Sequence, residues 1–168
     1  MKYPAYENYK ASGVQWLGEV PGHWEVKGLR YICQFAYGES LAADNREEGD
    51  VSVYGSNGPV GAHNIANTEA PVIVIGRKGS YGKINFSRES VFAIDTTYFV
   101  DRKQTKQNLS WLKYALLPLR LDEGSKDSAV PGLAREDAYE HKLPVPELEE
   151  QTTIANFLDR ETGRIVVV

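Results

Sequence analysis

The run Pro71-Val72-Ile73-Val74-Ile75, closed by Gly76, constrains the fold of this chain more than any other segment. In a strand, successive side chains point to opposite faces, so a run without polar members presents two apolar faces and must be covered on both. It is too short for a membrane span or an independent helix, and it is bounded by Pro and Gly. The segment therefore predicts a central β-strand with material packed on either side.

The surrounding sequence is β-rich and punctuated. Trp24 to Tyr37 mixes alternation with β-formers (Trp24, Val26, Leu29, Tyr31, Phe35) and reads as one strand or two. Val51-Ser52-Val53-Tyr54 is strand-like and runs into Gly55-Ser56-Asn57-Gly58-Pro59, where Asn-Gly marks a turn. Beyond the break from Gly76 to Gly82, further strands are expected at Lys83–Phe86, Val91–Ile94 and Thr96–Val100. Helix comes afterwards. Trp111, Leu112, Ala115, Leu116 and Leu119 recur at helical spacing behind Asn108 or Ser110 as N-cap, and Pro118 ends or kinks the segment. Residues 121–146 return to loop and strand, with Leu143-Pro144-Val145-Pro146 extended. From Glu147 the chain is helical again, with Glu147, Glu149 and Glu150 in the first turn and Ile154, Phe157, Leu158 and Ile165 as an apolar stripe. Residues 1–24, rich in Gly, Pro and rings (Tyr3, Tyr6, Tyr9, Trp16, Trp24), read as an ordered arm, with Gly18–Gly22 a turn ahead of the first strand. The fold class is mixed α/β (α+β). The expected organisation is one domain over 1–146, followed by the start of a longer helix over 147–168.

At 168 residues the chain suits one domain, and 42% apolar with 25% charged residues is a globular composition. No run is long and apolar enough to cross a bilayer, and the start MKYPAYENYK lacks the order of a signal peptide, so a cytoplasmic protein without membrane contact is expected. Cys33 is alone, which leaves neither a disulfide framework nor a thiolate cluster. The formal charge of -4 argues at first against nucleic acid. Its distribution argues the other way: residues 1–50 carry 5 basic and 8 acidic groups, 51–110 carry 7 and 4, and 111–168 carry 7 and 11. The basic centre consists of Arg77, Lys78, Lys83, Arg88, Arg102, Lys103 and Lys106, which can neutralise phosphates unless they form an ordinary solvated surface.

Catalytic templates find little to work with. His23, His63 and His141 are far apart and in no metal-ligand spacing, and they read as surface or loop histidines. Neither Gly55-Ser56-Asn57-Gly58 nor Gly76-Arg77-Lys78-Gly79-Ser80 is followed by the Gly-Lys-Ser/Thr of a P-loop. No glycine fingerprint opens a doubly wound sheet for methyl transfer. Glu25-Val26-Lys27 has the acid-x-lysine spacing of some nucleases, but such triplets are common. Asp95 lies inside a β-run, where a capping or hydrogen-bonding role fits better than catalysis. No cofactor is implied.

What the centre offers instead suits DNA. Arg77 and Lys78, between Gly76 and Gly79, put two cations on a backbone lean enough to approach a phosphate chain, and Ser80 and Tyr81 add hydroxyls. Lys83 shares the face of Tyr81 if the strand has begun there. Ser56 and Asn57 at a turn tip can reach base edges, and Asn suits adenine. The plainer reading is a pair of tight turns with solvated ends.

Several of these segments in order resemble the specificity subunits of Type I restriction-modification systems. They are Ser12–Pro21 with His23-Trp24, Val53–Gly58, Ile75–Gly82, Ala93–Tyr98, Val130-Pro131-Gly132-Leu133 with Arg135, and Leu143–Pro146 leading to Glu150-Gln151 and Ile154–Thr162. The resemblance implies a target-recognition domain that inserts loops into DNA grooves and reads half of a split target, with Arg135 joining the DNA-binding set. It also implies a spacer helix, whose Ile154, Phe157 and Leu158 would dock a partner. Family members pair two such domains with methyltransferase subunits, which act on adenine with S-adenosylmethionine, and through them with a restriction subunit. Here there is one domain, and the helix stops at Arg164-Ile165-Val166-Val167-Val168, as in a half-subunit, a truncation or an excised piece; pairing with a second half or with itself is a further expectation. Two other classes stay open: a methyltransferase-docking module that no longer reads DNA, and a nuclease using Asp95 or Glu25 with Lys27.

Overall fold

The computed structural model describes residues 4–126 and 129–165, the last two without their side chains. The Val166–Val168 ending and Tyr3 of the arm lie outside the described residues.

The arm is a hairpin. β1 (Tyr9–Ala11) pairs antiparallel with β2 (Glu19–Pro21), so the stretch expected as a turn is a strand. The turn sits earlier, at residues 12–18, where Gly13 (φ 75°) and Gly18 (φ 66°) supply the left-handed backbone. β3 (Glu25–Gly28) leads into a 3-10 turn over Leu29–Tyr31 and then β4 (Ala36–Tyr37), so of the one or two strands expected between Trp24 and Tyr37 there are two.

β5 (Val51–Gly55) and β6 (Gly58–His63) form a hairpin. In its tip only Gly58 has a positive φ, 115°; Ser56 and Asn57 need none, as in a turn closed by a glycine bulge. β7 (Val72–Gly76), β8 (Ile84–Ser87), β9 (Phe92–Ala93) and β10 (Thr97–Val100) follow. A four-stranded sheet has the order β4-β10-β7-β8, all neighbours antiparallel, while β9 joins β5 in parallel in a second sheet, β6-β5-β9.

Every residue of β7 is buried, and its two faces serve two cores. Ile73 and Ile75 enter the larger one with Leu29, Phe35, Val100, Leu112 and Leu116, whereas Val72 and Val74 enter a smaller one with Val91, Ala93 and Phe99. Each fully covered side chain contributes on the order of 1.5–3 kcal/mol.

α1 (Leu109–Leu116) begins at Asn108, whose side chain accepts the Trp111 N–H at 2.9 Å. Leu109, Trp111, Leu112 and Leu116 face the core, and Pro118 falls in a closing 3-10 turn over Leu117–Leu119. Residues 121–146 hold a helix that their composition did not announce, α2 (Arg135–Tyr139), before β11 (Lys142–Val145) pairs with β3. α2 is one turn long, too short to show a period, and is held by burial of Ala138.

α3 (Leu148–Ile165) carries Glu149 and Glu150 in its first turn. It rests on the domain through Gln151 and Ala155, both buried. Gln151 donates to the Pro146 carbonyl (2.8 Å) and the Gln107 side chain (2.7 Å) and accepts the Asn108 N–H (2.9 Å), which ties the start of α3 to the start of α1. Among the described residues no helix is long and apolar enough to cross a membrane.

Candidate nucleic-acid interface

The loop from Gly76 to Gly82 leaves β7 and is pinned on three sides. The backbone N–H groups of Arg77 and Lys78 both donate to the Thr96 carbonyl, at 2.8 and 3.2 Å. The Arg77 carbonyl accepts the Leu133 N–H at 2.8 Å, and Lys78 bridges Gly132 in antiparallel fashion. Gly82 (φ 72°) lies so close to residues 121–122 that a Cβ there would sit 2.1 Å from the Leu121 carbonyl carbon. A Cβ at Gly76 would sit 2.1 Å from the Ser80 carbonyl oxygen and 3.1 Å from that of Ser56. Four segments distant in sequence, 55–58, 76–82, 93–98 and 130–135, therefore converge.

Beside this junction opens a cleft of about 780 Å³ lined by Tyr37, Arg77, Lys78, Arg135, Glu136 and Asp137 among others. Arg77 is not a free cation. Its Nε and Nη2 donate to the Asp95 carbonyl at 3.0 and 2.5 Å, and its guanidinium carbon lies 5.5 Å from the centre of the Tyr37 ring. Arg135 lies over the same ring at 4.8 Å, donates to the Phe35 carbonyl at 3.3 Å, and has a buried Nε with no hydrogen-bond partner in the protein. Tyr37 is 49% exposed and leans on Tyr98 at 5.2 Å. The Tyr98 hydroxyl donates to the Leu133 carbonyl; burial foremost, with Tyr37 beside it, pushes this phenol up to about 12. Lys78 lines the cleft and is exposed, and Ser80, two residues on, is exposed as well.

At the hairpin tip Asn57 is exposed, and its side-chain carbonyl accepts a hydrogen bond from Lys83 at 2.5 Å. This departs from an Asn57 with both amide groups open to a base. Nor do Tyr81 and Lys83 share a face. β8 begins only at Ile84, and the Tyr81 hydroxyl turns inward to accept the Ser125 N–H at 3.3 Å while Lys83 turns to Asn57.

The basic centre divides along β7. Arg77, Lys78 and Lys83 gather beyond its C-terminal end. At the other end Arg102 and Lys103 pair with Glu69 at 3.3 and 3.0 Å, and Arg88 faces Asp159 of α3 at 4.0 Å.

The other chemical candidates dissolve. Asp95 is exposed in a turn and acts through its backbone; among the described residues the buried acid is Asp101, which accepts the N–H groups of Glu69 and Lys103. Glu25 and Lys27 form an exposed pair at 2.8 Å. His63 is not a surface residue: it is 8% exposed, stacked edge-on against Phe92, and its Nδ1 accepts the Glu47 N–H at 3.0 Å. Burial raises the Cys33 thiol to about 12, so it is held as a neutral thiol. Among the described residues no three His, Cys, Asp or Glu side chains cluster as a metal would require.

The outer stripe of α3 also divides. Ile154 and Leu158 line an apolar cleft of about 190 Å³ with Trp16, Trp24, Trp111 and Leu143, so they pack on their own domain. Phe157 is half-buried and, at about 100° per residue, lies off the Gln151–Ala155–Leu158 face.

Sequence reading missed Tyr37 altogether. No local pattern marks it, since its role in the cleft comes from two arginines far along the chain.

Comparison with known proteins agrees with this architecture. The specificity subunit of the Type I restriction enzyme EcoprrI of Escherichia coli is 29% identical over 146 residues, a match covering 81% of this chain and 36% of that protein. The crystal structure of a Type I restriction-modification S subunit from M. genitalium superposes with a TM-score of 0.72 at 19% identity, over 84% of this chain and 40% of that one. The HsdS subunit of Thermoanaerobacter tengcongensis superposes at 0.67 and 17% identity, over 94% of this chain and 41% of that one. The chain thus spans well under half the length of these relatives, and at such identities the solved structures speak for the fold. The model of the Type I restriction modification DNA specificity domain matches residues 21–165, nearly the whole of the sequence, and the chain belongs to that family.

Proposed function

We propose that this chain reads one half of a bipartite duplex DNA target as part of a Type I restriction-modification complex, and performs no chemistry itself. The observation that carries the reading is the convergence of the 55–58 and 130–135 segments on the 76–82 loop, beside a cleft lined by Lys78 in which Arg77 and Arg135 lie over the Tyr37 ring. Rigid anchoring of these segments suits a surface that must match a groove, and exposed Lys78 suits a backbone phosphate. Ser56, Asn57 and Lys83 at the hairpin tip, with exposed Ser80 in the neighbouring loop, complete the interface; Tyr81 supports it from within.

The recognition domain is taken as 1–146 and the spacer helix as starting at 147. Methyltransferase subunits would dock on α3 through Phe157, with Ile154 and Leu158 holding the helix to its domain, and would bring in the restriction subunit; a second half-subunit or a second copy would supply the other half-site. Adenine methylation and cleavage belong to those partners, all within the cytoplasm.

The test is duplex binding by the chain across a salt series, followed by mapping of methylated adenines in cells carrying the complete system. Weak binding that falls steeply with salt, and a methylation motif that changes when this domain is exchanged, are the expected results. A motif unchanged by that exchange overturns the reading.

A further inference from the structure

We propose that Tyr37, Arg77 and Arg135 form the base-reading element of the cleft, and that the base they read is guanine. The inference rests on the DNA-reading role proposed above and goes beyond it by assigning these three residues to bases instead of phosphates.

Three observations separate the two assignments. First, both guanidinium groups are held in place before any ligand arrives. Arg77 is oriented by two hydrogen bonds to the Asp95 carbonyl, Arg135 by the Phe35 carbonyl, and both lie over the same ring. A phosphate contact asks only for a positive charge, which exposed Lys78 supplies, whereas bidentate reading of a base edge needs a planar fork in a fixed pose. Second, Tyr37 is half exposed yet fixed by Tyr98 on one side and two cations over its ring. A rigid ring at this place holds the two arginines at a constant separation.

Third, the cleft is not uniformly basic. Glu136 and Asp137 line it, and although Asp137 is neutralised by Lys126 at 2.8 Å, exposed Glu136 forms no ion pair among the described residues. A carboxylate here opposes a phosphate. It suits a G·C pair, whose major-groove edge shows two acceptors on guanine, matching an arginine fork, and one amino donor on cytosine, matching a carboxylate. Adenine presents a donor where guanine presents O6, and a guanidinium has no acceptor to meet it.

Selection from a randomised duplex pool tests the assignment, using the wild-type chain and its Arg77→Lys, Arg135→Lys, Tyr37→Leu and Lys78→Ala variants, each checked for folding by thermal melting. The wild type should select a short motif containing guanine. Each Arg→Lys variant keeps the charge and loses the fork, so affinity for the selected duplex should fall about 5- to 100-fold while affinity for a scrambled duplex changes less than about 2-fold. Tyr37→Leu should relax the same positions, and Lys78→Ala should weaken both duplexes alike. Equal losses on both duplexes in the Arg→Lys variants, or a selected motif those variants leave intact, overturn the base-reading assignment and leave the DNA-reading role standing. A wild-type chain that selects no motif removes the role and the assignment together. The Arg→Lys changes keep partly exposed cations in place, so the result stands even if Tyr37→Leu does not fold.

Discussion

His23 Nε2 lies 2.8 Å from Glu150 Oε2, and this pair fastens the N-terminal arm to the first turn of α3. The same carboxylate accepts the Tyr6 hydroxyl at 2.5 Å and the Trp24 indole N–H at 3.0 Å, so three groups from the arm and its exit meet on one residue of the helix. Burial drives the Glu150 carboxyl up, but the hydrogen bonds from Tyr6, His23 and Trp24 outweigh it and leave the group below the usual carboxylate range. Tyr6, conversely, is pushed up to about 12, by burial first and then by its bond to Glu150.

A pH dependence follows. A carboxyl whose folded pKa is depressed contributes stability that is present above its unfolded value, about 4.3, and is lost as pH falls through the folded one. Asp159, likewise lowered because its bonds from Tyr114 and Lys113 overcome burial, acts in the same sense. Stability from these two groups should hold from neutral pH down to about pH 4 and then decline. Glu150→Gln should reduce stability near pH 7 by about 1–3 kcal/mol and flatten the decline in acid. Urea unfolding at several pH values measures both, and an unaltered acid limb in the variant counts against the Glu150 junction.

Gln151 is fully buried with three hydrogen bonds, two to backbone groups on either side of the α1–α3 junction. Gln151→Ala leaves the Asn108 N–H, the Pro146 carbonyl and the Gln107 side chain without that partner and opens a small cavity. The expected loss is about 2–4 kcal/mol, larger than for truncating exposed Glu149 beside it. Comparable denaturation midpoints for the two variants would show that α3 is held otherwise.

Gly82 has φ 72°, and an added Cβ would collide with backbone, which cannot swing aside as a side chain can. Gly82→Ala should therefore destabilise by at least about 2 kcal/mol, or displace the 76–82 loop and lower duplex affinity. Gly124→Ala is the matched control: φ is 73° there, but nothing lies within 4 Å of the new methyl group, so only backbone strain remains. Equal melting temperatures for the two variants would remove the close approach of Gly82 to Leu121 from the account.

The parts of the fold visible in sequence were those set by local pattern. The unbroken apolar run became β7, the helical spacing behind Asn108 became α1, and the acidic start and apolar stripe after Glu147 became α3. Where partners were distant the sequence was silent. β1 and β2 are three residues each and gain their identity only from pairing, and α2 is a single turn. The cleft shows the same division. Arg77 and Lys78 stand out between glycines, but nothing near Arg77 announces that the Asp95 carbonyl and the Tyr37 ring will hold its side chain, and nothing near Asn57 announces Lys83.

Reading and docking should separate by mutation in two different elements, the β5–β6 tip and α3. Asn57 sits at the exposed hairpin tip with its side-chain carbonyl accepting from Lys83, so Asn57→Ala removes an amide and frees a cation without disturbing the core. Its effect should fall on the preferred sequence, with a change in melting temperature of no more than a few degrees. Phe157 lies on α3, half-buried and set by the helical spacing off the face that carries Gln151, Ala155 and Leu158. Phe157→Asp should therefore impair assembly with partner subunits while the sequence methylated by whatever complex still forms stays the same. Leu158→Asp, which puts a carboxylate against Trp111 and Trp24, should instead destabilise the domain itself by about 2–4 kcal/mol. Mapping methylated adenines in cells with each variant of the complete system, alongside melting curves of the chain, distinguishes all three. If Phe157→Asp changed the methylated sequence and Asn57→Ala left it untouched, the reading surface would lie on the helix and the cleft would have to be reassigned.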